Sequence, residues 1–349
     1  MAFYELLEKG VRKGESSYDR VVGRYWPTDA SIQLPTGNIA GKCLRRLWYK
    51  VHNFPDEISF RGHLIMRTGV YLEQMFRDML TPLQDTPIEI NAIRKEINDS
   101  LNKCDAMTPH QINKWIEKIR DSLFLLGKDP KNGEAYSVPL KFEIQLKSGD
   151  VRCGKDVVYV NDKYYTDNPV ISGKFDIMTN DDGKLCGNEI KSFGGYYKKT
   201  LIFGKKRPLV AARPVDEHIL QVMMYMVARP DIEWSIQYID REMMDRISFK
   251  LGLVDGNILT INDEMWPEWT VKGIVDRYRI LHKSLLDDEL PRRDFIPEYS
   301  EAQIVRYKKS GKISKTRYEK YMTGKILVLG DVDCSWCPYW KMCKNNEKS

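Results

Sequence analysis

Asp182 and Gly183, set between two runs of alternating apolar residues, constrain this chain's fold more than any other pair of residues. A two-residue hairpin closed by a type I′ turn needs positive φ at both central positions, which Asp-Gly supplies readily. The runs 171–179 and 185–191 then become antiparallel strands whose register is fixed, because positions equidistant from the turn face each other. Asp176 therefore lies opposite Glu189, and Lys191 projects from the same face two residues on. Two carboxylates opposed on adjacent strands repel and destabilise a sheet. A divalent cation between them removes the conflict, and hard oxygen donors select Mg²⁺ or Mn²⁺. Such an ion polarises a phosphodiester and acidifies an attacking water, while a nearby lysine positions that water or offsets developing charge.

The elements around this hairpin follow from periodicity. Leu140, Phe142, Ile144 and Leu146 alternate with polar residues, which predicts a half-buried strand. Leu72, Met75, Phe76, Met79 and Leu80 recur at helical spacing within 63–80, and a second helical pattern covers 108–126, ahead of a break at 129–133. Pro214 suits a first helical position, with Asp216 and Glu217 complementing the positive end of the helix that follows. Residues 234–239 and 247–253 read as strands and 271–287 as a helix. Helices around a small mixed sheet define the α/β class. Hydrophobic residues at 42% and charged residues at 30% are those of an ordinary globular protein with a real core. The chain has no apolar run of the ~18 residues a membrane span requires and no signal-peptide core, so an intracellular, cytoplasmic setting with reduced thiols is expected.

Seven cysteines, an odd number, suit metal ligation better than a disulfide framework. Cys334, Cys337 and Cys343 form a C-x₂-C-x₅-C cluster, and three thiolates so close call for a metal and a fourth partner, for which Cys43 is the candidate. Cys104, Cys153 and Cys186 read as buried small hydrophobes. His52, His63, His110 and His282 show no ligand spacing with one another.

The stretch Ser172-Gly173-Lys174-Phe175-Asp176-Ile177, followed by Asn188-Glu189-Ile190-Lys191-Ser192, resembles the G-x-x-D…E-x-K core of the PD-(D/E)XK nucleases, particularly the RecB-like branch. Gln221 and Tyr225 match that branch's Q-x-x-x-Y motif, and His218 shares their helix face. The resemblance implies a restriction-endonuclease-like core in which Asp176 and Glu189 ligate the metal, Ile190 offers a backbone carbonyl and Lys191 is the catalytic lysine. It places Gln221 and Tyr225 beside the active site and the DNA. Gly69 to Glu73 matches a G-x-x-x-H motif with glutamate in the histidine position, which makes Glu73 a further metal ligand. One N-terminal cysteine with three C-terminal ones resembles the iron–sulfur group of this branch, which includes CRISPR-associated exonucleases, AddB-type subunits and many phage exonucleases. There a 4Fe-4S cluster staples the chain ends together. Structural zinc has the same ligand count.

Nucleic acid has two expected contact regions. Eight Lys/Arg residues (Arg306, Lys308, Lys309, Lys312, Lys315, Arg317, Lys320, Lys325) stand against Glu319 alone, interleaved with Tyr307, Tyr318 and Tyr321. That combination suits a single-strand groove. The second is the loop carrying Tyr196, Tyr197, Lys198, Lys199, Lys205, Lys206 and Arg207. The chain divides on this reading into an N-terminal helical region (1–84) with Cys43 and Glu73, an inserted helical subdomain (85–135), a nuclease core (136–290) and a basic iron–sulfur region (291–349). The function expected is a metal-dependent DNA exonuclease acting on single-stranded ends in repair, recombination or replication. A structure-specific endonuclease and a non-catalytic DNA-binding scaffold are the alternatives. The chain lacks a GxxxxGK[ST] loop, so a helicase partner would be a separate chain.

Overall fold

The computed structural model describes residues 20–54, 68, 71, 123–128, 135–139, 141–153, 162–181, 184–206, 209–243 and 245–346. The chain forms two compact units, each discontinuous in sequence. One comprises Val21–Gly41 and His63–Arg279; the other comprises Met1–Arg20, Lys42–Gly62 and Ile280–Ser349.

The first unit is a mixed α/β structure. Its strands are β1 (Arg24–Tyr25), β2 (Ser31–Gln33), β3 (Ile39–Gly41), β4 (Leu123–Lys128), β5 (Ala135–Pro139), β6 (Lys141–Gln145), β7 (Val151–Cys153), β8 (Val170–Lys174), β9 (Ile177–Asp181) and β10 (Lys184–Phe193), followed by β11 (Lys205–Lys206), β12 (Leu209–Val210), β13 (Glu233–Asp240), β14 (Arg246–Val254), β15 (Ile258–Ile261) and β16 (Glu264–Thr270). A four-stranded sheet runs β1-β8-β6-β7, and a six-stranded sheet runs β16-β15-β14-β13-β10-β9. In the larger sheet only β10 and β13 pair in parallel. Parallel neighbours need a long crossover, and the connection between them contains the helix Asp216–Ala228.

The register of the Asp182-Gly183 hairpin agrees with the expectation. Lys184 pairs with Asp181 and the ladder continues to Asn188 opposite Ile177, although Asp182 and Gly183 themselves lie outside the described residues. The run 171–179 is not one strand, however. It breaks at Phe175–Asp176, so that β8 belongs to the small sheet and β9 to the large one. Periodicity misses the break because the apolar alternation continues across it. The pattern at 108–126 also differs from expectation: Leu123–Lys128 is a strand paired with Ala135–Pro139, and residues 108–122 lie outside the described set. In the stretch 63–80, Thr68 and Tyr71 are helical; the rest, Glu73 included, lies outside the described residues.

β6 is buried on both faces. Phe142 and Ile144 enter the core, while Glu143 is covered on the other side, where it pairs with Arg152 at 2.6 Å and accepts from Tyr165 Oη at 3.2 Å. Burial raises the Glu143 pKa, and Arg152 and Arg24 oppose that shift. The helix Asp216–Ala228 begins two residues after Pro214, because Val215 is the extended N-cap whose N–H donates to Tyr238 Oη at 2.9 Å. It is buried nearly all round, from Ile219 to Met226, as a helix between two layers must be. It packs against strands of both sheets.

The second unit contains the helix Leu44–Val51 and, from the C-terminal region, Glu301–Lys309, Lys315–Met322, Val332–Ser335 and Trp340–Asn345. Tyr299, Ile304, Ile313 and Leu329 form a small core between the two basic helices. Among the described residues no helix is long and apolar enough to cross a membrane.

Gly187 tests the central ladder. It pairs with Trp234, and a Cβ added there would lie 2.4 Å from the indole ring. That ring is buried against Phe175 and Tyr225 and has no free direction in which to retreat. Gly187→Ala should therefore destabilise the protein by about 1–3 kcal/mol, read as a lower midpoint in urea with an unchanged slope. An unaltered midpoint would show that β10 and β13 can separate without penalty.

Candidate active site

Phe175 holds the crossing between the sheets. Its side chain is fully buried, stacks on Phe142 (centroids 4.9 Å apart) and meets Trp234 at 5.0 Å and the edge of Tyr225 at 5.2 Å. With Phe175 anchored, Asp176 sits at the bend beside β10. Its Oδ2 accepts the N–H of Ile190 at 3.2 Å. Ile190, expected to contribute its carbonyl, meets Asp176 through this N–H.

Glu189 lies on β10 between β9 and β13 and has no solvent exposure. The Lys191 ammonium contacts its Oε1 as an ion pair, and the Asp176 carboxyl and the Tyr225 hydroxyl lie against the carboxylate. Burial, and after it the Glu189 carboxylate, holds the Asp176 pKa well above the usual carboxylate range; Lys191 and the Ile190 N–H pull downward without cancelling this. Gln221 and Tyr225 come to the same place. Gln221 Nε2 donates to Tyr225 Oη at 2.6 Å, both residues are buried, and burial followed by Glu189 and Asp176 raises the tyrosine pKa. The helix and the hairpin thus bring together Asp176, Glu189, Lys191, Gln221 and Tyr225.

A fully buried and a half-buried carboxylate facing one lysine leave the charge incompletely balanced, and burying excess charge is costly. A divalent cation fits this donor set. Among the described residues no three His, Cys, Asp or Glu side chains form a metal-holding group. Asp176 and Glu189 would be two of its ligands, and the candidate third, Glu73, lies outside the described residues.

Tyr238 belongs to this region and was not legible in the sequence. It pairs with Lys191 across the parallel β10–β13 ladder, and its hydroxyl meets His218 Nδ1 at 2.8 Å as well as the Val215 N–H. Strand alternation marks Tyr238 as inward-facing but does not reveal a parallel partner. The loop expected to contact substrate has a different commitment at Lys199. This residue, on the helix Tyr196–Phe203, pairs with Asp240 at 2.7 Å and Asp245 at 3.2 Å, and so fastens that helix to the β13–β14 connection. Lys205 contacts Tyr196 Oη at 3.1 Å.

The second unit holds the cysteines. Cys43 is the N-cap of Leu44–Val51 and, like Cys334, Cys337 and Cys343, forms no disulfide. Burial pushes the Cys43 thiol up to about 12, with contributions from Asp294 and Cys337. Cys334 is raised by burial and by its neighbours Cys43, Asp331, Cys337 and Cys343. The four sulfurs are thus mutual electrostatic neighbours without closing into a ligand group. Arg45, only 1% exposed, lies among them: Nε donates to Pro291 O at 2.6 Å and Nη1 lies 3.9 Å from Cys343 Sγ. Cys153 and Cys186 are half-buried rather than core residues, and Cys104 lies outside the described set. Tyr307, Tyr318 and Tyr321, expected to offer open faces, instead pack against the small core of this unit.

The carboxylate pair predicts a trade of stability against function. The native Asp176 pKa lies above its unfolded value near ~3.9, so the native state binds more protons between the two values. Stability is therefore full at low pH, falls as pH rises through that window, and levels off above the native pKa. In metal-free buffer, Asp176→Asn should remove this decline and raise the melting temperature at pH 8 by about 2–4 °C, while Mg²⁺ stabilises only the wild type. A lower melting temperature for the variant at pH 8 would refute the account.

No family model matches the sequence, and no curated protein matches it. Among solved structures, a chain described as SSO0001 matches across 84% of this chain and 90% of that one, at 12% identity and a TM-score of 0.33.

Proposed function

We propose that this chain is a metal-dependent DNA nuclease, similar to the RecB-like PD-(D/E)XK enzymes, that hydrolyses phosphodiesters from single-stranded ends. The observation that carries the reading is Glu189: a fully buried carboxylate that faces a second carboxylate, Asp176, and contacts Lys191. Asp176 and Glu189 would hold Mg²⁺ or Mn²⁺, which when bound polarises the scissile phosphate and lowers the pKa of a water. Lys191 is 24% exposed and so lies between the buried Glu189 carboxylate and solvent. There it orients the attacking water and offsets the negative charge that develops on phosphate oxygens. Tyr225, held by Gln221, closes the inner side of the carboxylates against solvent and fixes where Glu189 points. Ile190 fixes Asp176 in the same way through its N–H.

We also propose that Cys43, Cys334, Cys337 and Cys343 hold a 4Fe-4S cluster, with structural zinc as the alternative. Cys334 feels the charge of the other three sulfurs, which supports a shared metal group, and the buried Arg45 beside Cys343 suits a group of net negative charge.

Lys191→Ala and Asp176→Ala should each lower Mg²⁺-supported cleavage of linear single-stranded DNA by about 100-fold or more, while binding in metal-free buffer stays within a few fold. Cleavage by Lys191→Ala at the wild-type rate would overturn the site. Covalently closed single-stranded circles should be spared, and their cleavage as fast as linear DNA would establish an endonuclease. Protein purified anaerobically should be brown and should bleach when Cys43 or Cys337 is replaced; a colourless protein with stoichiometric zinc would settle the metal in favour of zinc.

A further inference from the structure

The segment Ile296–Asp331 is a closed, built element. The Ile296 N–H donates to Asp331 Oδ2 at 2.7 Å, and the Asp331 N–H returns a bond to Ile296 O at 2.8 Å. Tyr299 Oη donates to Asp331 Oδ1 at 2.6 Å, and Lys312 pairs with the same oxygen at 2.9 Å. Ser300 and Ser314 cap its two helices, and the small core fills the space between them. The sequence makes this element strongly basic, and the structure decides which groups it presents.

The tyrosines turn inward. Tyr307, Tyr318 and Tyr321 pack on the core, and Tyr307 meets Tyr299 edge-on at 4.8 Å. The cations of the element cover ring faces that remain: Lys308 lies 3.9 Å above Tyr318, Lys312 4.5 Å above Tyr307, and Arg306 4.9 Å from Tyr307. Lys309, Lys315, Lys320 and Lys325 stand exposed, with Glu319 the one acid from 306 to 325. Single-strand binding without sequence preference relies on open aromatic platforms for the bases as well as on phosphate contacts. This surface offers donors for phosphates and has its aromatic faces already occupied. A rigid array of cations suits the regular, dense phosphate charge of a duplex, about one charge per 1.7 Å of axis. Contacts of this kind position nucleic acid without reading its sequence.

We infer that the closed loop Ile296–Asp331 docks the sugar–phosphate backbone of double-stranded DNA. The choice of DNA as occupant rests on the proposed nuclease activity. Anionic lipid is the competing occupant, but the exposed apolar side chains here, Val305, Met322 and Leu327, are separated in sequence by charged and polar residues and do not form a stripe on either helix.

The test uses the full-length protein without divalent metal, so that binding is read independently of cleavage. Fluorescence anisotropy is recorded against salt for a blunt duplex and a single strand of equal length. The wild type should bind the duplex several-fold more tightly. Lys309→Glu/Lys320→Glu should weaken duplex binding by at least tenfold and lower the log–log salt slope by about 2, with Lys309→Gln/Lys320→Gln intermediate. Both pairs are exposed on helix surfaces, so unchanged melting temperatures should accompany the loss. Cleavage of a short single-stranded oligonucleotide should persist in both variants; an inactive wild type would overturn the nuclease reading and leave the binding result standing. Unchanged duplex affinity in the charge-reversed variant would overturn the docking surface. So would a wild type that prefers the single strand, or a variant that loses phosphatidylglycerol vesicles while keeping duplex.

Discussion

The bend at Phe175–Asp176 is the constraint on which the carboxylate site depends. A continuous strand through 171–179 would put Asp176 within a ladder, with its direction fixed by the pleat. Breaking it there assigns β8 to one sheet and β9 to the other and leaves Asp176 at the junction. The break is held by aromatic packing: Phe175 is surrounded by Phe142, Tyr225 and Trp234, each from a different element. Tyr225 serves twice, since its ring is part of this cluster and its hydroxyl faces the carboxylates. Displacement of the cluster would move Asp176 and Tyr225 together, so the geometry of the site is a property of the core beneath it.

Arg45 has a comparable place in the other unit. A guanidinium at 1% exposure must have its donors satisfied, and it finds Pro291 O, Asn346 O and the Cys343 sulfur. The Leu44 N–H, next in sequence, binds Asp294 at 2.7 Å. These bonds join residues about 250 and 300 positions apart and hold the start of the Leu44–Val51 helix against the C-terminal segment. A bound cluster would add its own restraint on the unfolded chain.

Much of the site was legible because its first step is local. A two-residue turn and a side-chain period of two carry the register outward from Asp182-Gly183, and the ladder from Lys184 to Asn188 follows it. The Gln221–Tyr225 contact was legible for a similar reason, since residues four apart share a helix face. Non-local pairing was not. Nothing in residues 185–193 signals that β13 lies alongside in parallel, so Tyr238 was invisible as the neighbour of Lys191. The strand at Leu123–Lys128 was hidden because a short apolar run fits a helical and a strand pattern alike. The direction of the C-terminal tyrosines was hidden too: a cation–aromatic alternation fixes composition, whereas the small core decides which of the two turns inward.

Charge balance connects the carboxylate site to the basic element in the other unit. Asp176 and Glu189 with Lys191 have a net charge of about −1 when both acids are ionised, and about zero when a proton remains on Asp176. Neither state attracts a phosphodiester, itself an anion, so on the proposed reading a bound cation would be needed before the site could face DNA. Affinity for nucleic acid would then come largely from cations elsewhere in the chain. The loop after β10 contributes less than its composition suggests, because Lys199 is neutralised by Asp240 and Asp245. The excess in 306–325 is larger than the formal charge of +6 on the whole protein, so the remainder of the chain is on balance slightly acidic. On the proposed reading, holding and cutting are separated: long-range attraction to phosphates would come from the basic element, and the chemistry from the carboxylates.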